Sequence, residues 1–156
     1  MKTENSVKLA TDATLKDAHF LQKNGNWYHD TEETVLVVDV QRSNFGQQYY
    51  INLGIFVKVS SQGLARFPPK ESECHIRLRL ESLMPESDEE AVRTLLDLDN
   101  QSIGSAERQK RIRELVASVA IPFLLQCSTH AGLREAKRNG RLDAAVIDKR
   151  VREAIF

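Results

Sequence analysis

The chain reads as an α+β domain: a four-stranded antiparallel meander, preceded by one helix and followed by three or four helices packed on one sheet face. Three observations predict it. Period-2 alternation marks most of the sequence between residues 35 and 81, and helical spacing marks the opening segment and the whole chain beyond Met84. No helical stretch separates the strands, which argues against the crossovers of a parallel sheet.

The opening helix is expected over 6–23, where Val7, Leu9, Ala10, Ala13, Leu15, Ala18, Phe20 and Leu21 recur at spacings of mostly three to five, with Asn24-Gly25 as its stop. Trp27-Tyr28-His29 then leads through Asp30-Thr31-Glu32 into ETVLVVDVQRS, read as a hairpin rich in β-branched residues. After the polar turn Ser43-Asn44-Phe45-Gly46, the run QQYYINLGIFVKV alternates Tyr49, Ile51, Leu53, Ile55 and Val57 with Tyr50, Asn52, Gly54, Phe56 and Lys58. It is the strongest strand in the chain. Residues 60–72, with Gly63 and Pro68-Pro69, form a loop, and CHIRLRLE is a fourth strand with Cys74, Ile76, Leu78 and Leu80 on one side and His75, Arg77, Arg79 and Glu81 on the other.

Beyond Pro85 the acids of DEEAVRTLLDLD occupy a first helical turn, where the macrodipole favours them, and a short helix runs to about Leu98. A long helix spans Arg108 to Gln126 and is expected to kink at Pro122. Thr129–Asn139 and Leu142–Phe156 read as helices parted by Asn139-Gly140. With no repeat and no linker-like stretch, the 156 residues are assigned to one domain, with its core in about 6–140 and a C-terminal helix at 142–156.

Twenty-two basic and 22 acidic side chains cancel, so there is no global field to hold nucleic acid or an anionic membrane, and both are disfavoured as partners. The first twenty residues carry polar side chains throughout, with no apolar stretch of an export signal, and the longest nearly apolar run, LVASVAIPFLL at 115–125, falls short of the roughly 20 residues a bilayer span needs. Cys74 and Cys127, without an export signal, imply free thiols and a cytoplasmic address. Charge is nonetheless polarised. Seven acids between Glu81 and Asp99 face one base, while residues 101–156 carry eleven Lys and Arg against six acids.

GxSxG, GxxxxGK[ST], GxGxxG, HExxH and CxxC are absent, so no cofactor is expected. Cys74-His75 with Cys127-x-x-His130 makes a formal Cys2His2 set, but neighbours on a strand point to opposite faces, so no metal is expected either. The chemistry is instead expected on the polar sides of the strands. Gln41, Tyr50, Asn52, His75, Arg77 and Arg79 would gather on one face if the register allows, two guanidinium forks beside amide groups. Simple solvation of that face, with Asp39 and Glu81 as ion partners, is the competing explanation.

The segments VQRS, YINLGI and CHIRLR, with a GNWYHD-like entry before them, resemble the bacterial domain of unknown function 4304 family over roughly residues 10–140. The resemblance implies a compact α+β intracellular domain in which Gln41, Asn52, Gly54, His75 and Arg77 hold motif positions. Gly54 is expected where a bulge or close packing excludes a side chain. No activity is attached to the family.

The leading functional expectation is a noncatalytic binding module that recognises a protein or a small anionic ligand through this polar face. An immunity-like inhibitor offering the acidic 81–99 stretch is one form of it. The alternatives are an enzyme with His75 as acid or base and Arg77 as anion clamp, and a structural protein that dimerises through Ile147, Val151, Ile155 and Phe156.

Overall fold

A computed structural model describes residues 5–59 and 67–156; the expected loop from 60 to 66, with Gly63, and residues 1–4 lie outside it. The architecture is α+β, and the sheet has six strands rather than four. They are β1 (Leu21–Lys23), β2 (Asn26–Asp30), β3 (Thr34–Arg42), β4 (Tyr49–Val57), β5 (Ile76–Arg79) and β6 (Val146–Ile147), in that spatial order and antiparallel throughout.

The two unexpected strands lie at the edges. Helix α1 (Ser6–Asp17) is capped by the Asn5 side chain, which accepts from the Lys8 N–H, and it ends well before residue 23 because His19 turns into the left-handed region at φ 68°. The chain then re-enters as β1. Asn24 and Gly25, at φ 54° and 80°, are not a helix stop but the two-residue turn between β1 and β2, with Lys23 opposite Asn26. An Asn-Gly pair satisfies both roles, since each needs positive φ, and only the backbone before it distinguishes them. At the other end, the expected 142–156 helix divides into β6 and α6 (Lys149–Ile155), the latter capped by Asp148.

The remaining helices are α2 (Glu86–Leu95), α3 (Ser105–Leu115), α4 (Ile121–Gln126) and α5 (His130–Arg138). A π-helical turn at Val116–Ala120 joins α3 to α4, and the Ile121 N–H reaches back five residues to the Val116 carbonyl. Pro122 has no N–H to give and would press its ring on the preceding turn, so one widened turn takes up the misfit that a kink was expected to absorb.

One sheet face carries Leu36, Val38, Ile51, Leu53, Ile55 and Ile76. It packs with Val7 and Leu15 of α1, Ile112 and Val116 of the long helical rod, Leu133 of α5 and Val151 of α6 in a single apolar core. Trp27 is fixed within it by an Nε1–H bond to Asp12 of 2.8 Å, which ties α1 to the sheet. Val151 and Ile155 are spent in this core, so the last helix turns its apolar stripe inward. Arg108, 2% exposed, donates to the Thr94, Leu95 and Asn100 carbonyls and closes the end of α2 against α3. Burial lowers its pKa. Among the described residues, no single helix is long and apolar enough to cross a membrane.

Candidate functional site

The helices leave the other face of the sheet uncovered by their core, and the register arranges that face in rows. Val35 of β3 stands opposite Phe56 of β4; the next row is Tyr28, Val37, Gly54 and Arg77 across four strands; then come Asn26, Asp39, Asn52 and Arg79, and last Gln41 opposite Tyr50. Side chains two apart on a strand share a face, so three strands change from apolar to polar at the same level.

The apolar end is closed by the segment that follows Phe67. Val35, Val37, Phe56 and Cys74 form a second buried cluster with Tyr28 against it, and the Phe67 ring meets Tyr28 edge-on. Gly54 is what allows this cover to sit so low. A Cβ there would lie 2.8 Å from the Cys74 Sγ and 3.2 Å from the Glu71 Cγ, so close packing, one of the two expected reasons for this glycine, accounts for it.

His75 belongs to this closed end. Its ring lies 4.4 Å from that of Phe56, and its Nδ1 accepts the Val57 N–H at 2.9 Å. Burial lowers its pKa, which keeps it neutral and an acceptor. The strand starts only at Ile76, so Cys74 and His75 precede it. Contrary to the expectation of opposite faces, both pack on the Phe56 side. Both cysteines are free and buried; burial raises the Cys74 thiol pKa and pushes that of Cys127 up to about 12. Among the described residues, no group of three or more metal-ligating side chains converges.

The polar end forms one connected network. Asn52 donates to the Gln41 Oε1 at 2.9 Å and to Asp39 at 3.4 Å; Asn26 donates to Asp39 at 3.2 Å and accepts the Glu71 N–H at 2.9 Å. Glu71 holds Arg77 through two bonds of 3.0 and 3.2 Å, and this pairing raises the Arg77 pKa. Glu71 was not anticipated. It lies on the 3₁₀ turn Glu71–Glu73, and only its place in a loop rich in turn residues hinted that it would fold back over the sheet. Glu81, expected as an ion partner, instead lies buried in a 3₁₀ turn, its Oε2 without a hydrogen bond.

Arg79 differs from Arg77 in its support. Its guanidinium stands 3.8 Å above the centre of the Tyr50 ring, and no carboxylate pairs with it among the described residues. Between these groups opens a groove of about 370 Å3, lined by Gln41, Asn52, Glu71, Arg77, Arg79 and Ser82, with Val146 of the edge strand β6 and Ala144 just before it. Five of the six expected residues therefore meet around the groove: Gln41, Asn52, Arg77 and Arg79 line it, and Tyr50 braces Arg79. His75 does not. Ser82, Ala144 and Val146 are further members that no strand pattern could supply, because they arrive from a 3₁₀ turn and from the short edge strand β6 with the turn before it.

Searches of curated proteins and of solved structures gave no match to the chain. The description of one family matches residues 11–126, which contain strands β1 to β5, the cover and the whole hydrogen-bonded network. The chain belongs to the family described as Domain of unknown function (DUF4304).

Proposed function

We propose that the protein is a noncatalytic binding module whose polar groove takes a small ligand carrying one anionic group. The observation that carries this reading is Arg79: a cation held in place by an aromatic ring, unpaired among the described residues, at the rim of a groove whose other walls offer amides and a hydroxyl. Arg77 contributes less charge because Glu71 already answers it. With Glu71 answering Arg77 and Asp39 engaged by the Asn26 and Asn52 amides, Arg79 is the one cation of the groove left, among the described residues, for a ligand's single carboxylate or phosphate. A volume of about 370 Å3 is in the lower range of small-molecule sites.

The enzymatic alternative gains nothing from His75, whose ring lies in the closed half with Nδ1 engaged. The test is a thermal-shift screen of the protein against short carboxylates, α-amino acids and phosphomonoesters, repeated on Arg79→Ala. A ligand at a hundredfold excess over its Kd contributes about 2.7 kcal/mol, or a rise in Tm of about 5 °C or more. The reading requires one of these classes to produce that rise and Arg79→Ala to abolish it. A ligand that stabilises both proteins equally, or a screen without a hit, overturns it.

A further inference from the structure

Away from the sheet face, α5 and the last residue enclose a second hollow. Arg134, Lys137, Arg138 and Phe156 line a volume of about 330 Å3. The three cations stand at i, i+3 and i+4, on the surface flanking Leu133 and Ala136, which are buried in the core. All three are exposed, and none forms an ion pair among the described residues.

Some cations on the other helices are paired. Lys16 pairs with Asp12, Arg93 with Glu90, Arg111 with Glu107 and Lys149 with Glu153, each one turn away on the same helix. Lys8, Lys110, Arg113 and Arg152 on those helices are likewise without an ion pair among the described residues; what sets α5 apart is that all three of its Lys and Arg side chains are unpaired and line one hollow with an aromatic ring. The helix dipole favours Lys137 and Arg138 in the last turn, but it does not reach Arg134, and it does not explain an aromatic floor beneath the charges. Like charges at this spacing cost a helix a few tenths of a kcal/mol per pair. The floor is the half-buried Phe156 ring, with the Lys137 Nζ 5.5 Å from its centre.

We propose that this hollow docks an acidic helical segment of another protein, its carboxylates meeting Arg134, Lys137 and Arg138 and one aliphatic side chain resting on Phe156. Charge complementarity selects the acidic partner, and the ring selects one that carries an apolar anchor among its acids. A nucleic acid fits less well. Three cations within one helical turn reach about one phosphate step, Glu135 flanks them on the same helix, and the chain as a whole has no net charge. The hollow lies beyond the family-matched residues 11–126 and shares no lining residue with the sheet groove.

The test uses two synthetic helical peptides of about 15 residues with Glu at i, i+3 and i+4, one with Leu and the other with Ser at the central position of that face. Binding to the full chain is followed by fluorescence anisotropy at low salt. The Leu peptide is expected to bind about fivefold more tightly than the Ser peptide. Phe156→Ala should erase that difference, and Arg134→Glu/Arg138→Glu should weaken both by about tenfold. Arg134 and Arg138 are exposed, and Phe156→Ala trims a half-buried ring at the margin of the core, so its fold is checked by circular dichroism. A small-ligand thermal shift at the sheet groove should persist in all of these variants, so the two sites fail or succeed separately. Equal affinity for the two peptides, or affinity indifferent to the charge reversal, overturns the proposal. So does tighter binding of an oligothymidylate of matched charge, or light scattering that shows the face occupied by a second copy of the chain.

Discussion

The two ends of the outer sheet face are built on the same three strands, yet one is sealed and the other open. At the sealed end Val35, Val37 and Phe56 lie under Cys74 and His75; at the open end Gln41, Asn52, Arg77 and Arg79 border a groove. Backbone geometry does not distinguish the ends, since β3 and β4 pair without interruption from Thr34↔Val57 to Arg42↔Tyr49. The difference is made by side chains at one level of the sheet, where Gly54 lets the 71–74 segment descend and Glu71 stops it by gripping Arg77. A loop closes on apolar rows because burying them is favourable, and it halts where the next row would lose water from amides and charges. The open groove is therefore the place where the cover runs out of apolar surface.

Four expected outcomes break or sharpen this contrast. Phe56→Ala removes the largest buried side chain of the second apolar cluster and should cost about 3 kcal/mol, read as a lower midpoint in urea unfolding. Gly54→Ala places a methyl against Cys74 and should cost about 1–3 kcal/mol; a structure of the variant should show the cover lifted and the bonds from Arg77 to Glu71 lengthened.

His75 sets a pH limit on the sealed end. Its folded pKa is depressed below the ordinary value of 6.5, so the stability it contributes is fully present above that pH and is lost as pH falls through the folded value. Urea midpoints measured from about pH 7.5 down to about pH 5 should decline over that window. His75→Gln, which keeps an acceptor for the Val57 N–H but cannot titrate there, should flatten the decline. The smallest stability effect belongs to the open end. Arg79→Ala should leave the urea midpoint within about 0.5 kcal/mol of the parent while abolishing the ligand-induced thermal shift.

Much of this contrast was legible before any coordinates. The alternation of β3, β4 and β5 separates their two faces and groups Gln41, Tyr50, Asn52, Arg77 and Arg79 on one of them, but leaves open the register that aligns them across strands. What escaped were features that depend on chain reversal between distant segments. β1 and β6 are too short to show a period, and an Asn-Gly pair supports a helix stop as well as a hairpin turn. Glu71 and Ser82 reach the groove from 3₁₀ turns whose direction no periodicity encodes. His75 shares the parity of Arg77 and Arg79 and was grouped with them, but parity fixes a face, not a position along it; the end of the sheet on which His75 lies depends on where the cover folds.

The short outer strands have an effect on the behaviour of the chain in a crowded solution. Long, flat, apolar strands with unpaired backbone groups act as templates on which other chains add and aggregates grow. Here the nine-residue strands β3 and β4 are enclosed on both sides, and the rims consist of a three-residue strand ending in Lys23 and a two-residue strand that gives way at once to α6. Neither rim offers enough consecutive N–H and C=O groups to register a further strand, so the sheet stops growing at its own edges.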